Sequence, residues 1–152
     1  MSVCSIYIGS DHAGFDLKQE IVQRLRAEFP KVNVIDHGCA STESVDYPAY
    51  AQKVAQSVAQ ETNSRGILIC GTGIGMCIAA NKVRGIRAAS IWNLESAQLC
   101  REHNDCNVIC LAGRFLKPNE AWSFILQFIK TSFLGGRHLQ RIKMIDDLEK
   151  PE

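Results

Sequence analysis

Apolar residues fall along the chain in two kinds of block, and their alternation predicts the architecture. Compact runs without polar alternation read as strands buried on both faces: Ser5–Gly9, Val32–Ile35, Ile67–Ile69, Ile86–Ile91 and Val108–Leu111. Between them, apolar positions recur at helical spacing, as in Leu17, Ile21, Val22 and Leu25, then Ala51, Val54, Ala55 and Val58. Further helices are predicted over Met76–Ala80, Ala97–His103, Pro118–Phe133 and Arg137–Leu148. Pro48 suits a first helical turn, Gly85 breaks the chain, and Gly135–Gly136 ends the long helix before the last one. The spacings between strands are too long for hairpins. The pattern therefore predicts an α/β fold, a three-layer α/β/α arrangement around a five-stranded parallel sheet, Rossmann-like, as one domain over 1–152.

In such sheets ligands bind at the carboxyl ends of the strands. Asp11 and His12 follow the first strand, Cys70 and the turn Gly71-Thr72-Gly73-Ile74-Gly75 follow the third, and Arg114 lies just past the fifth. One edge thus gathers an acid, a histidine, a thiol, a glycine turn and an arginine. Asp36 and His37 follow the second strand, and strand order decides whether they join this edge. A glycine turn between strand and helix presents several backbone N–H groups to an anion, a phosphate or an enolate oxygen, and the same field favours the thiolate of a neighbouring cysteine. A tight turn with a buried cysteine is the plainer reading. The spacing is not Gly-x-Gly-x-x-Gly, no acidic residue ends the next strand, and no Gly-Lys-Ser/Thr is present, which disfavours a nicotinamide or ATP site.

Composition narrows the field. Over 152 residues, 46% are hydrophobic, enough for a core without staples, and 17 basic against 16 acidic residues give a net charge of +1. That balance, with no basic stretch, points away from nucleic acid. Ala121–Leu134 is too short and too polar to span a membrane, and the N-terminus has no basic region before a long apolar segment. Seven cysteines form no Cys-x-x-Cys pair; His103, Cys106 and Cys110 lack a fourth ligand for zinc, so no metal site is expected. The cysteine usage points to a reducing cytoplasm.

Three further features each have two readings. Asp11 suits a helix N-cap as well as a site. His103, followed by Asn104 and Asp105, suits the C-terminal field of a helix as well as catalysis. Arg137 and Arg141 lie four apart on one helical face, with no acid at i±4 to pair with either; they suit a phosphate dianion or a solvated basic face. Trp92 and Trp122 fit a core or an interface equally.

Together, Ser10–Gly14, Asp46–Pro48, Gly66–Lys82, Gly85–Arg87, His103–Val108, Gly113–Arg114 and Gly135–His138 resemble the type B ribose-5-phosphate isomerases, a family that includes the galactose-6-phosphate isomerase subunits. The resemblance runs from about residue 5 to 148. It implies a cofactor-free, metal-free aldose–ketose isomerase of the pentose phosphate pathway, a homodimer or dimer of dimers with active sites between subunits. On matching positions it implies Cys70 as the base between C1 and C2 and His103 as the group that assists ring opening. It implies sugar contacts from Asp11, His12, the turn Gly71, Thr72, Gly73, Ile74 and Gly75, and Asn104, and phosphate contacts from Arg114, Arg137 and Arg141. The helix 137–148 would then serve both the phosphate site and the dimer interface. One branch of the family uses a glutamate just after the glycine turn; here that place is Met76, so the chain follows the cysteine branch.

The chemistry fits these residues. An aldose–ketose shift needs a base beside C2, stabilisation of enediolate oxygens and a group that moves the ring-oxygen proton. Cys70 supplies the first, the turn amides and the Thr72 hydroxyl the second, and His103 the third. Two other functions compete: isomerisation of a six-carbon sugar phosphate, allose or galactose 6-phosphate, and nucleotide or sugar-phosphate binding without catalysis.

Overall fold

The computed structural model describes residues 3–149; residues 1–2, the start of the stretch read above for a leader, and residues 150–152 lie outside the described part. Five strands, β1 (Ser5–Ser10), β2 (Asn33–Asp36), β3 (Ser64–Cys70), β4 (Ala88–Ser90) and β5 (Val108–Ala112), form one parallel sheet in the order β2-β1-β3-β5-β4. The helices are α1 (Phe15–Glu28), α2 (Tyr47–Gln60), α3 (Ile74–Ala80), α4 (Leu94–Glu102), α5 (Pro118–Lys130) and α6 (Arg137–Asp147).

Alternation along the central strands divides the core. Ile67 and Ile69 of β3, with Ile6, Ile8, Ile109 and Leu111, pack against α1, α4 and α5. Leu68 and Cys70, with Val108 and Cys110, pack against α2 and α3. This is the predicted three-layer arrangement. No helix of the described residues is long and apolar enough to cross a membrane.

Boundaries moved where polar residues share a ladder. β3 starts at Ser64 rather than Ile67, because Ser64 and Arg65 pair with Ser5 and Ile6 of β1 although neither belongs to the apolar run. β4 is shorter than predicted, Ala88–Ser90: the Ile86 N–H closes a turn onto the Val83 carbonyl, and the Arg87 N–H donates to Asn107 Oδ1 while its carbonyl still accepts from the Asn107 and Val108 N–H groups. α4 starts earlier than Ala97, at a capping box in which Asn93 Oδ1 accepts from the Ser96 N–H and Ser96 Oγ accepts from the Asn93 N–H. α5 ends at Lys130, not Phe133. Trp122 is buried and packs against Phe29, whereas Trp92 is 72% exposed.

Candidate active site in two half-sites

The carboxyl edge carries the first cluster. Asp11 is nearly buried, and its Oδ1 accepts from the Ala13 and Gly14 N–H groups at 2.9 and 3.0 Å, capping a short 3-10 turn, His12–Gly14. The capping reading is therefore correct, and Oδ2 stays available to a ligand. His12 Nδ1 accepts from the Val45 N–H at 3.2 Å, which places the proton of the neutral ring on Nε2 and makes that nitrogen a donor.

Cys70 ends β3 with only 4% of its surface exposed. The Gly73 N–H points at its Sγ from 3.2 Å. The turn achieves this through Gly73 at φ 75°, and a Cβ there would stand 3.1 Å from the Leu111 carbonyl carbon. Thr72 is exposed, and its Oγ1 accepts from the Ile74 N–H at 3.3 Å, so its own proton can be donated outward. The Arg114 guanidinium lies beside Gly71, 3.1 Å from where a Cβ on that glycine would stand. Tyr47 lies across Gly75, where a Cβ would come within 2.6 Å of Tyr47 Cζ. Tyr47 belongs to the Asp46–Pro48 segment of the resemblance, but its place at the start of a helix, after a polar loop, gave no signal that its ring folds back onto the glycine turn.

β2 sits at the sheet margin beside β1, and its terminal residues are engaged elsewhere. Asp36 pairs with the buried Lys18, while His37 shares a 2.9 Å hydrogen bond with Ser57 and stacks on Tyr7. Burial, then Lys53, pushes the His37 pKa below its usual value.

The second cluster lies on the opposite edge. His103 follows the C-terminus of α4, so it stands before β5 begins, beside the start of the strands. The turn from His103 to Asn107 is tied there. The Gly66 N–H donates to the Asn107 carbonyl, Arg87 Nε to the Asn104 and Asp105 carbonyls at 3.2 Å, and Asp105 pairs with Arg101 at 2.8 Å and Arg87 at 3.0 Å. Gly66 is four residues before Cys70 in β3, so the strand alone separates the two edges by about 13 Å. α6 belongs to the same far edge. Its Asp146 approaches Arg87 at 3.5 Å, Glu149 just beyond it accepts from the Gly85 N–H, and Ile142 is buried. It presents exposed Arg137 and Arg141, and its His138 ring stacks on His103 with centroids 4.3 Å apart.

One chain thus unites Asp11, His12, Cys70, Gly71–Gly75 and Arg114, and separately His103, Asn104, Arg137 and Arg141. It does not bring the two sets together. Among the described residues no ion pair engages Arg114, Arg137 or Arg141. A cleft of about 600 Å³ opens at the amino edge, lined by Asn63, Arg65, Arg87, Asp105 and Phe133 among others, and no residue of the Cys70 cluster lines it.

A family model described as Ribose/Galactose Isomerase matches residues 6–145. The ribose-5-phosphate isomerase B of Escherichia coli is 46% identical over 145 residues, spanning 95% of this chain and 96% of its own length. A probable ribose-5-phosphate isomerase B of Mycoplasma pneumoniae is 44% identical over 146 residues, 95% of each chain. Among solved structures, the Mycoplasma genitalium ribose-5-phosphate isomerase B with bound ribulose 5-phosphate is similar over all of both chains, with a TM-score of 0.93 and 40% identity. The Thermotoga maritima ribose-5-phosphate isomerase aligns at a TM-score of 0.90 with 46% identity, over 95% of this chain and 98% of its own. By sequence and by fold, the chain belongs to the ribose/galactose isomerase family.

Proposed function

We propose that the protein interconverts ribose 5-phosphate and ribulose 5-phosphate through an enediolate, in active sites each made from two copies of the chain. The observation that carries this reading is the Cys70–Gly73 turn: a nearly buried thiol with a backbone N–H aimed at its sulfur. Relatives named ribose-5-phosphate isomerase B, one of them solved with ribulose 5-phosphate bound, support the substrate.

In this reading the Cys70 thiolate removes the C2 proton of the open aldose. The electron pair moves into a C1–C2 double bond, and the carbonyl oxygen becomes the enediolate oxygen. Amides of the glycine turn other than those of Gly73 and Ile74, with the Thr72 hydroxyl and the His12 Nε2 proton, stabilise the developing charge. The C2 hydroxyl proton then passes to the C1 oxygen, which becomes a hydroxyl; as the charge left on the C2 oxygen closes to a carbonyl, C1 takes back the proton held by the Cys70 thiol, and the thiolate is restored. Ring opening precedes this step: the anomeric hydroxyl loses a proton, the ring oxygen gains one and their C1 bond breaks. His103 of the partner subunit carries that proton, and Asn104 of the partner subunit contacts the sugar. Arg114, with Arg137 and Arg141 of the partner subunit, holds the phosphate and thereby fixes which carbon meets the sulfur.

The opposite placement of the two half-sites supports a second copy, since one chain cannot close the set. Exposed apolar residues point the same way: Ile74 and Ile78 stand one turn apart on α3, and Trp92 and Leu94 follow β4, the strand packed beside α3. Formation of ketose from ribose 5-phosphate by the purified chain with EDTA present, alongside allose and galactose 6-phosphates, tests the function. Conversion of the pentose is expected. Preference for a six-carbon sugar would move the substrate, and conversion of none of the three would leave a binding module.

A further inference from the structure

His138 is assigned no part in the chemistry above, yet its ring is 8% exposed and lies parallel to His103, with 10° between the planes and 4.3 Å between centroids. Its position is fixed independently of His103. The His138 N–H donates to the Gly135 carbonyl in the first turn of α6, Ile142 one turn on is buried, and the Leu134 N–H ties the preceding loop to the Glu102 carbonyl at the end of α4. The helix carrying His138 is thus tied to the helix end carrying His103. The charged groups that face the ring are His103 itself, Arg137 and Arg141, all cationic or able to become so. Burial first, then these neighbours, pushes the His138 pKa below its usual value.

These features fit a particular task. A ring that takes up and gives back a proton in each turnover changes charge while it must keep its place. Two imidazolium rings at this separation repel strongly, whereas a neutral aromatic face holds both the charged and the uncharged form of its neighbour. We propose that His138 is a positioning residue for ring opening, a neutral aromatic clamp that holds the His103 ring through its protonation cycle. This rests on the reading of His103 given under the proposed function.

Ring opening can be separated from proton transfer by the choice of substrate. Ribulose 5-phosphate cannot close a furanose ring, because its C5 oxygen carries the phosphate, so exchange of its C1 hydrogen with solvent needs Cys70 but no ring chemistry. The full chain is compared with His138→Leu, His138→Phe and His103→Ala, following ribose 5-phosphate turnover and deuterium entry at C1 of ribulose 5-phosphate by NMR. His138→Leu is expected to lower kcat for ribose 5-phosphate about tenfold, with KM within about twofold and exchange within about threefold. His138→Phe, a neutral ring of similar face, should restore kcat to within about threefold of the original. His138→Leu in the His103→Ala background should add nothing. Equal loss of turnover and exchange in His138→Leu, or failure of phenylalanine to rescue, would overturn the clamp. If His103→Ala itself keeps ribose 5-phosphate turnover, the role of His103 fails; if only His138→Leu keeps it, the clamp alone fails.

Discussion

The two edges of the sheet differ in how they are built, and the difference suits the two tasks proposed for them. The carboxyl edge is made from strand ends and a turn whose backbone is part of the core: Cys70 lies among Leu68, Met76 and Cys110, and Gly73 stands over the β5 backbone. The amino edge is made from side chains on a helix end and on α6, where Arg137 and Arg141 are exposed and only His138 and Ile142 are buried. A base that must meet one carbon is fixed by covalent proximity to the core. A phosphate clamp, to which the carboxyl edge would add Arg114, tolerates longer, exposed side chains because charge acts over distance.

That contrast predicts a graded response to substitution. Cys70→Ala should abolish turnover, by about a thousandfold or more, while sugar-phosphate binding measured by calorimetry largely survives. More than a tenth of the original rate would remove Cys70 as the base. Arg137→Ala should act mainly through KM, raised by about tenfold or more with kcat within about threefold, and an unchanged KM would remove it from the phosphate site. Tyr7→Phe, in the sheet between the two edges, should leave both parameters alone and lower only Tm, by roughly a few degrees. The hydrogen bond from the Tyr7 hydroxyl to the Glu61 carboxylate raises the tyrosine pKa to about 12 and, with Ser5, holds Glu61 below the usual carboxylate range. The stability it supplies is therefore present at neutral pH. It fades as acid protonates Glu61, and again as pH rises from 10 towards 12 and the tyrosine ionises. A Tm difference between the two proteins that stays constant across those ranges would contradict the pairing.

The sequence made the carboxyl edge legible because the strand-end rule needs only the order of elements, and that order groups Asp11, His12, Cys70, the glycine turn and Arg114. The other half was not legible in the same way. His103 and the pair Arg137–Arg141 each had an ordinary reading, and only the combination of separated segments resembling one family gave them roles. Tyr47 and His138 lay within segments of the resemblance but received no role, because the contacts they make, across Gly75 and onto His103, are ones that no periodicity encodes. The strand limits that moved, at Ser64 and Ala88, did so where backbone pairing and the Asn107 side chain overrode the apolar pattern.

In the proposed assembly an active site needs the carboxyl edge of one copy and the amino edge of another. Co-expression of the Cys70→Ala and His103→Ala chains tests it directly. Each variant alone should be nearly inactive. Random pairing makes half the dimers mixed, each with one intact site of two, so activity should recover to about a quarter of the original. Activity no higher than that of the two variants measured separately would contradict a shared site, and with it the division of labour between the two edges.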